Sequence, residues 1–229
     1  RLADERGFRK VFAADPQVGG RNSALTAFGL VTAAIMGVDL ELFVNNAINM
    51  AEECAQDKSL QSNPGIVLGA IIGAAANAGR NKLTLLTNQN WRSFGDWLEQ
   101  LVAESSGKDG KGILPVVNEP LLDIGQYSSD RLFISLESDG EENTLTKQLR
   151  IAGHPVITLR VDEKEDLAGQ FYLWEVAVAT ACSVIGVNSF DQPDVQDAKI
   201  RTIAGLEEYK KNGKFLEIDP SAGYPRARI

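Results

Sequence analysis

Hydrophobic residues along this chain fall into two alternating kinds of segment. Four short β-favouring runs, at 83–86, 113–117, 132–136 and 156–161, are bounded by Gly, Pro, Asn or charge and predict buried strands. Longer amphipathic or Ala-rich segments predict helices over 23–36, 40–56, 64–78, 90–104, 143–151, 167–185 and 193–211. Strands separated by helices imply βαβ units, so the expected fold is α/β with a mainly parallel sheet flanked by helices. Asn63 followed by Pro64 marks a capped helix start, and Gly79 marks a helix end. The uncharged apolar stretches 24–38, 66–76 and 176–187 fall short of the roughly 20 residues a bilayer span needs. They are expected to be buried core elements, with no membrane partner. One domain is expected across 1–229, with a lead-in over 1–17 and an irregular tail over 212–229.

Composition narrows the chemistry. With 23 Lys+Arg against 31 Asp+Glu the net charge is −8, and no basic stripe is visible, which argues against a nucleic-acid partner. His154 is the only histidine, so a multi-histidine metal site is impossible within the chain and no metal is expected. Cys54 and Cys182 form no C-x-x-C pair, and two core thiols suit a reducing, cytoplasmic setting. The chain opens on Arg1, with no secretory pattern, and is expected to be a piece of a longer protein.

Three segments carry candidate chemistry. Val18-Gly19-Gly20-Arg21-Asn22-Ser23 precedes a long helix. Its glycines allow close ligand approach and its arginine favours an oxyanion, although a tight turn with a solvated arginine reads equally well. In the segment 97–108, Gln100 and Glu104 share a helix face. Glu104 ends that helix beside a glycine-rich loop, where the dipole disfavours its charge and a general base could sit; an exposed terminal glutamate is the plain alternative. Gly107-Lys108-Asp109-Gly110-Lys111 does not fit a nucleotide-binding phosphate loop, because the upstream glycine is missing and Asp109 stands where Ser or Thr should bind magnesium. In the segment 188–199, Gln192 precedes Pro193 at a helix mouth and Lys199 follows two turns later, either reaching into a cleft or lying salt-bridged on the surface.

In order and spelling these three segments resemble the glucose-6-phosphate isomerase family, in particular the second of its two sugar-isomerase (SIS) subdomains. The spellings Tyr127-Ser-Ser-Asp-Arg131 and Gly153-His-Pro-Val156 are most similar to the isomerase part of bifunctional transaldolase/glucose-6-phosphate isomerases. The resemblance implies a three-layer SIS-type domain and interconversion of glucose 6-phosphate and fructose 6-phosphate through a cis-enediolate, without a cofactor. By the same resemblance Glu104 is the base, Arg21 stabilises the enediolate, and Gly20, Gln100 and Gln192 contact substrate. Lys199 takes part in ring opening, and the active form is a homodimer. Two departures follow. The family's ring-opening histidine stands in a Gly-Gln-His context, whereas here Gly125-Gln126 is followed by Tyr127, leaving Tyr127 or His154 as the candidate acid. The Ser/Thr-rich phosphate loops of the first SIS subdomain are absent, so that subdomain is an expected partner and this piece alone is expected to be inactive. A non-catalytic sugar-phosphate-binding module, or an isomerase of another aldose phosphate, is the alternative.

Overall fold

The structure, a computed structural model, describes residues 2–138, 140, 143–161 and 166–215, with the side chains of 194 and 196 excepted. The element order is α1 (Leu2–Glu5), α2 (Ala27–Ile35), α3 (Leu40–Glu53), α4 (Pro64–Asn77), β1 (Lys82–Leu86), α5 (Arg92–Ser106), β2 (Leu114–Val116), β3 (Arg131–Glu137), α6 (Thr144–Ile151), β4 (Val156–Arg160), α7 (Leu167–Ile185) and α8 (Pro193–Asn212). Short 3-10 turns lie at Gly20–Asn22, Gln89–Trp91 and Ile124–Gln126. The four strands form one parallel sheet in the order β2-β1-β3-β4, flanked by helices, the α/β class that the sequence pattern predicts. The chain groups into two compact units, Arg1–Asp191 and Gln192–Ile229.

Strand alternation divides the core of the first unit. On one sheet face Leu83, Leu85, Leu132, Ile134 and Leu136 pack with Leu98 and Leu101 of α5 and Trp174 of α7. On the other, Phe133 packs with Leu149 of α6 and with Tyr127. Both faces are covered, which is why the central strands read as near-continuous hydrophobic runs. Asn63 accepts a hydrogen bond from the Ile66 N–H at 3.0 Å ahead of Pro64, as its spelling predicts. Gly65, Gly69 and Gly73 recur every fourth residue of α4 and bring its backbone against α7; a Cβ at Gly69 would collide with the Ala177 carbonyl.

Two expectations change. The stretch 24–38 is not a core element: α2 has no buried residue, and Phe28, Ile35 and Met36 are 66%, 82% and 78% exposed. An all-round apolar helix states that it wants burial but not against what. It also starts later than 23, because the Thr26 hydroxyl caps the Phe28 N–H and the Ser23 hydroxyl is bonded back to the Gly20 carbonyl. The second change concerns α7. Its 19 residues are long and apolar enough to cross a membrane by length and composition alone, where the sequence reading placed its apolar stretch below that length. In the fold it is a core helix, with Ala168, Trp174, Ala177 and Cys182 fully buried.

The second unit is described through residue 215. It comprises α8, capped by the left-handed Gly213 (φ 71°), beyond which Phe215 stacks at 4.7 Å on Tyr209 of the helix's last turn. The expected tail beyond 215 lies outside the described residues.

Candidate active site

Arg21 organises the candidate site. The 3-10 turn Gly20–Asn22 delivers its side chain inward until only 1% is exposed. Burying a guanidinium is costly unless each N–H finds an acceptor. Nε donates to Ser105 Oγ at 2.9 Å, and Nη1 donates to Glu104 Oε2 at 3.3 Å. Nη2 donates to the Ser189 carbonyl at 2.6 Å and the Asp191 carbonyl at 3.4 Å. Four of the five N–H groups are thereby engaged among the described residues. The Arg21 carbonyl in turn accepts from the Trp97 indole at 3.1 Å, tying the turn to α5. A Cβ at Gly20 would meet no atom within 4 Å, so there is open space beside this turn.

Glu104 stands in the last turn of α5, its side chain 33% exposed. Gln100, one turn earlier, donates Nε2 to Glu104 Oε1 at 3.0 Å, so each carboxylate oxygen has its own donor. The carboxylate is therefore oriented yet reachable, which suits proton transfer to and from a bound substrate. The next residues serve as scaffold. Ser106 Oγ donates to the Val102 carbonyl at 2.7 Å and accepts from the Ile113 N–H at 2.9 Å, closing the loop between α5 and β2. Asp109 (φ 56°) and Gly110 (φ 69°) make the tight turn at its tip.

Lys108 is the residue that sequence reasoning passed over once the phosphate-loop idea was set aside. It is buried, and its Nζ donates to the Asn188 carbonyl (2.5 Å), the Asp191 carbonyl (2.8 Å) and the Asp191 carboxylate (2.7 Å). That hydrogen bond and charge hold the Asp191 carboxyl below the usual carboxylate range. Arg21 and Lys108 thus grip one loop, 188–191, from two sides. The sequence signal was present in two lysines flanking an Asp-Gly turn, but it reads as surface charge until the acceptors are in place. Cys182 lies beneath the cluster and donates its thiol to the Ser105 carbonyl at 3.4 Å. Burial pushes that thiol up to about 11, against the lowering effect of Lys108 and Arg21.

The structure brings Arg21, Gly20, Gln100 and Glu104 together. Tyr127 and His154 also meet, but elsewhere: both pack edge-on against Phe133, at 5.2 and 5.4 Å, on the sheet face opposite α5. The Tyr127 hydroxyl accepts from the Leu122 N–H at 3.1 Å and its ring lies under Arg131. Within one chain the sheet separates both from Glu104. Gln192 and Lys199 belong to the second unit, where Lys199 is exposed on α8. Among the described residues no group of three or more His, Cys, Asp or Glu side chains could hold a metal ion.

No protein-family model matches the chain. It is similar to curated proteins named glucose-6-phosphate isomerase: from Symbiobacterium thermophilum, at 30% identity over 100% of this chain and 57% of the relative; from Clostridium tetani, at 27% over 94% and 57%; and from Bacillus cytotoxicus, at 28% over 92% and 53%. Among solved structures it superposes on a hypothetical protein from Thermus thermophilus with a TM-score of 0.76, at 20% identity over 90% of this chain and 59% of that one. A glucose-6-phosphate isomerase from Chlamydia trachomatis gives a TM-score of 0.60, at 17% identity over 83% and 48%. The chain spans just over half the length of the curated relatives it matches.

Proposed function

We propose that this chain, related along nearly its whole length to the glucose-6-phosphate isomerases, carries the proton-transfer half of such an isomerase site. The observation that carries the reading is the oriented carboxylate of Glu104, half-open to solvent and held between Gln100 and the buried Arg21. The substrate is the open-chain form of glucose 6-phosphate. Glu104 takes the C2 proton, the electron pair moves into a cis-enediolate with the charge on O1, the O2 hydroxyl proton passes to O1, and the same carboxylate returns its proton to C1 as O2 becomes the carbonyl of fructose 6-phosphate. The fixed cation of Arg21, held beside Glu104, lowers the developing oxyanion. Gln192 contacts the substrate, Lys199 assists ring opening, and the step as written needs no metal or organic cofactor.

The remaining part of the relatives' length supplies the phosphate cradle, and the site works in a cytoplasmic homodimer in which Tyr127 or His154 takes the ring-opening role from the neighbouring subunit. The exposed apolar α2 supports the first of these, since a helix of this kind is expected to be covered in the complete protein. On this reading the 229-residue piece alone has little activity. In the full-length protein, Glu104→Gln should lower kcat by about 10²–10⁴ with KM changed far less. Unchanged turnover would remove the base and favour a sugar-phosphate-binding module without catalysis.

A further inference from the structure

Two buried cations and two carboxylates meet beside the 188–191 loop, and the fold sorts them into pairs. Arg21 takes Glu104 through Nη1 at 3.3 Å, and Lys108 takes Asp191 through Nζ at 2.7 Å. The pairs are in contact with each other. The Asp191 carbonyl accepts from both cations, from Lys108 at 2.8 Å and from Arg21 at 3.4 Å. The Cys182 thiol beneath them also feels both charges.

The two pairs are unequal. Charge-assisted N–H···O bonds are strongest at about 2.7–2.9 Å, where the Lys108–Asp191 contact lies. The Arg21–Glu104 contact is longer and its carboxylate is partly exposed, so it is the one a competing carboxylate would take first. Asp191 is such a competitor. Its backbone already touches Arg21, and its side chain is 52% exposed and able to swing once released. Lys108 acts on that carboxylate by hydrogen bond and charge, and Arg21 is the second cation that pulls on it. While Lys108 answers Asp191, Arg21 keeps Nη1 for Glu104. Without Lys108, the carboxylate is left to Arg21.

We propose that Lys108 is a positioning residue of this site: it captures the Asp191 carboxylate, so that Arg21 stays turned toward Glu104 and the developing oxyanion. The consequence for turnover rests on the isomerase reading above, whereas the hold on Arg21 does not. Loop closure and charge capture use different atoms and can be told apart. Lys108→Met removes both; adding Asp191→Asn removes the competing charge but leaves the Asn188 carbonyl stranded. In the full-length protein, Lys108→Met should lower kcat at least ~10-fold with KM changed less than ~3-fold, and the double variant should recover kcat at least ~5-fold. Both should melt below the parent, so that recovery follows the carboxylate and not the stability. Lys108→Gln, which keeps a donor for the loop but loses the charge, is the milder variant and should give the same order. A second readout needs no turnover. The Arg21 Nε–H resonance of the 229-residue chain, a buried proton bonded to Ser105, should shift in Lys108→Met and return in the double variant. Where turnover depends on Glu104, a double variant as slow as the single, or parent-like turnover in Lys108→Met, overturns the proposal. So does an Nε–H resonance that Lys108→Met leaves in place. Full turnover in Glu104→Gln overturns the isomerase reading instead, and the Nε–H resonance then decides the role of Lys108 by itself.

Discussion

Glu175 offers a sharp test of how the apolar helix α7 is packed. It lies in the run Leu173-Trp174-Glu175-Val176-Ala177, and its Oε1 is buried without a hydrogen-bond partner. Burial raises the carboxyl from its ordinary 4.5 to about 7. Such a displacement corresponds to at most roughly 3 kcal/mol, and partial exposure of the side chain reduces this to about 1–2 kcal/mol. The sign follows from linkage. Below pH 4.5 the folded and unfolded chains both hold the proton, and the burial costs nothing extra. Between 4.5 and about 7 only the unfolded chain releases it, so stability falls as pH rises; above 7 both have released it and the loss is complete. Replacement by glutamine removes this dependence. Thermal melts of Glu175→Gln and the parent should therefore coincide near pH 4.5 and separate at pH 8, with the variant higher by about 2–8 °C for a chain of this size. A variant that melts lower at pH 8, or a gap that is the same at both pH values, would refute the claim that Glu175 is buried uncompensated.

Other outcomes follow from the same packing. Lys108→Met should destabilise the chain by about 1–3 kcal/mol in urea melts, because it strands the Asn188 carbonyl, leaves the Asp191 carbonyl only its long contact with Arg21 and loosens the 188–191 loop, read by faster amide exchange there. Gly69→Ala should cost on the order of 3 kcal/mol, since its Cβ is met by backbone of α7 that cannot rotate away; an unchanged melting temperature would show that α4 and α7 pack differently. Cys54 and Cys182 should resist thiol reagents at pH 8 until the chain unfolds, as both are buried and both titrate above the ordinary thiol value. Replacing Phe28, Ile35 and Met36 with serine should move the stability of this chain by less than about 0.5 kcal/mol per site, yet lower that of the full-length protein if the rest of it covers α2.

The elements were legible because each carries its own local signal. Short β-favouring runs bounded by Gly, Pro, Asn or charge named all four strands, and α7 spans the predicted 167–185, ending at Gly186 in the left-handed region. What the pattern could not give was the partner of each face. Residues 24–38 and 66–76 are both uncharged and apolar, yet α4 is buried and α2 is not. The difference lies in Gly65, Gly69 and Gly73, which let α4 approach α7 closely, whereas the single Gly29 of α2 faces its own preceding turn.

The same distinction governs the candidate site. Gln100 and Glu104 were paired by helical spacing alone, because their contact is made within a single helix. Arg21 and Glu104 are 83 positions apart, and no spacing rule joins them. What joins them is the need of a buried guanidinium for acceptors, which draws the Gly20–Asn22 turn, the end of α5 and the 188–191 loop to one point. The arginine that orients the proposed base is thus also the closure that holds three distant segments together. Loss of Arg21 should therefore appear first as a loss of folding, by about 3–5 kcal/mol, before any effect on turnover can be read. Arg21→Lys separates the two roles: it keeps the charge beside Glu104 but cannot reproduce the four engaged N–H groups. If the lysine variant melts with the parent, the guanidinium fork is not what gathers these segments, and the geometry assigned to Arg21 is wrong.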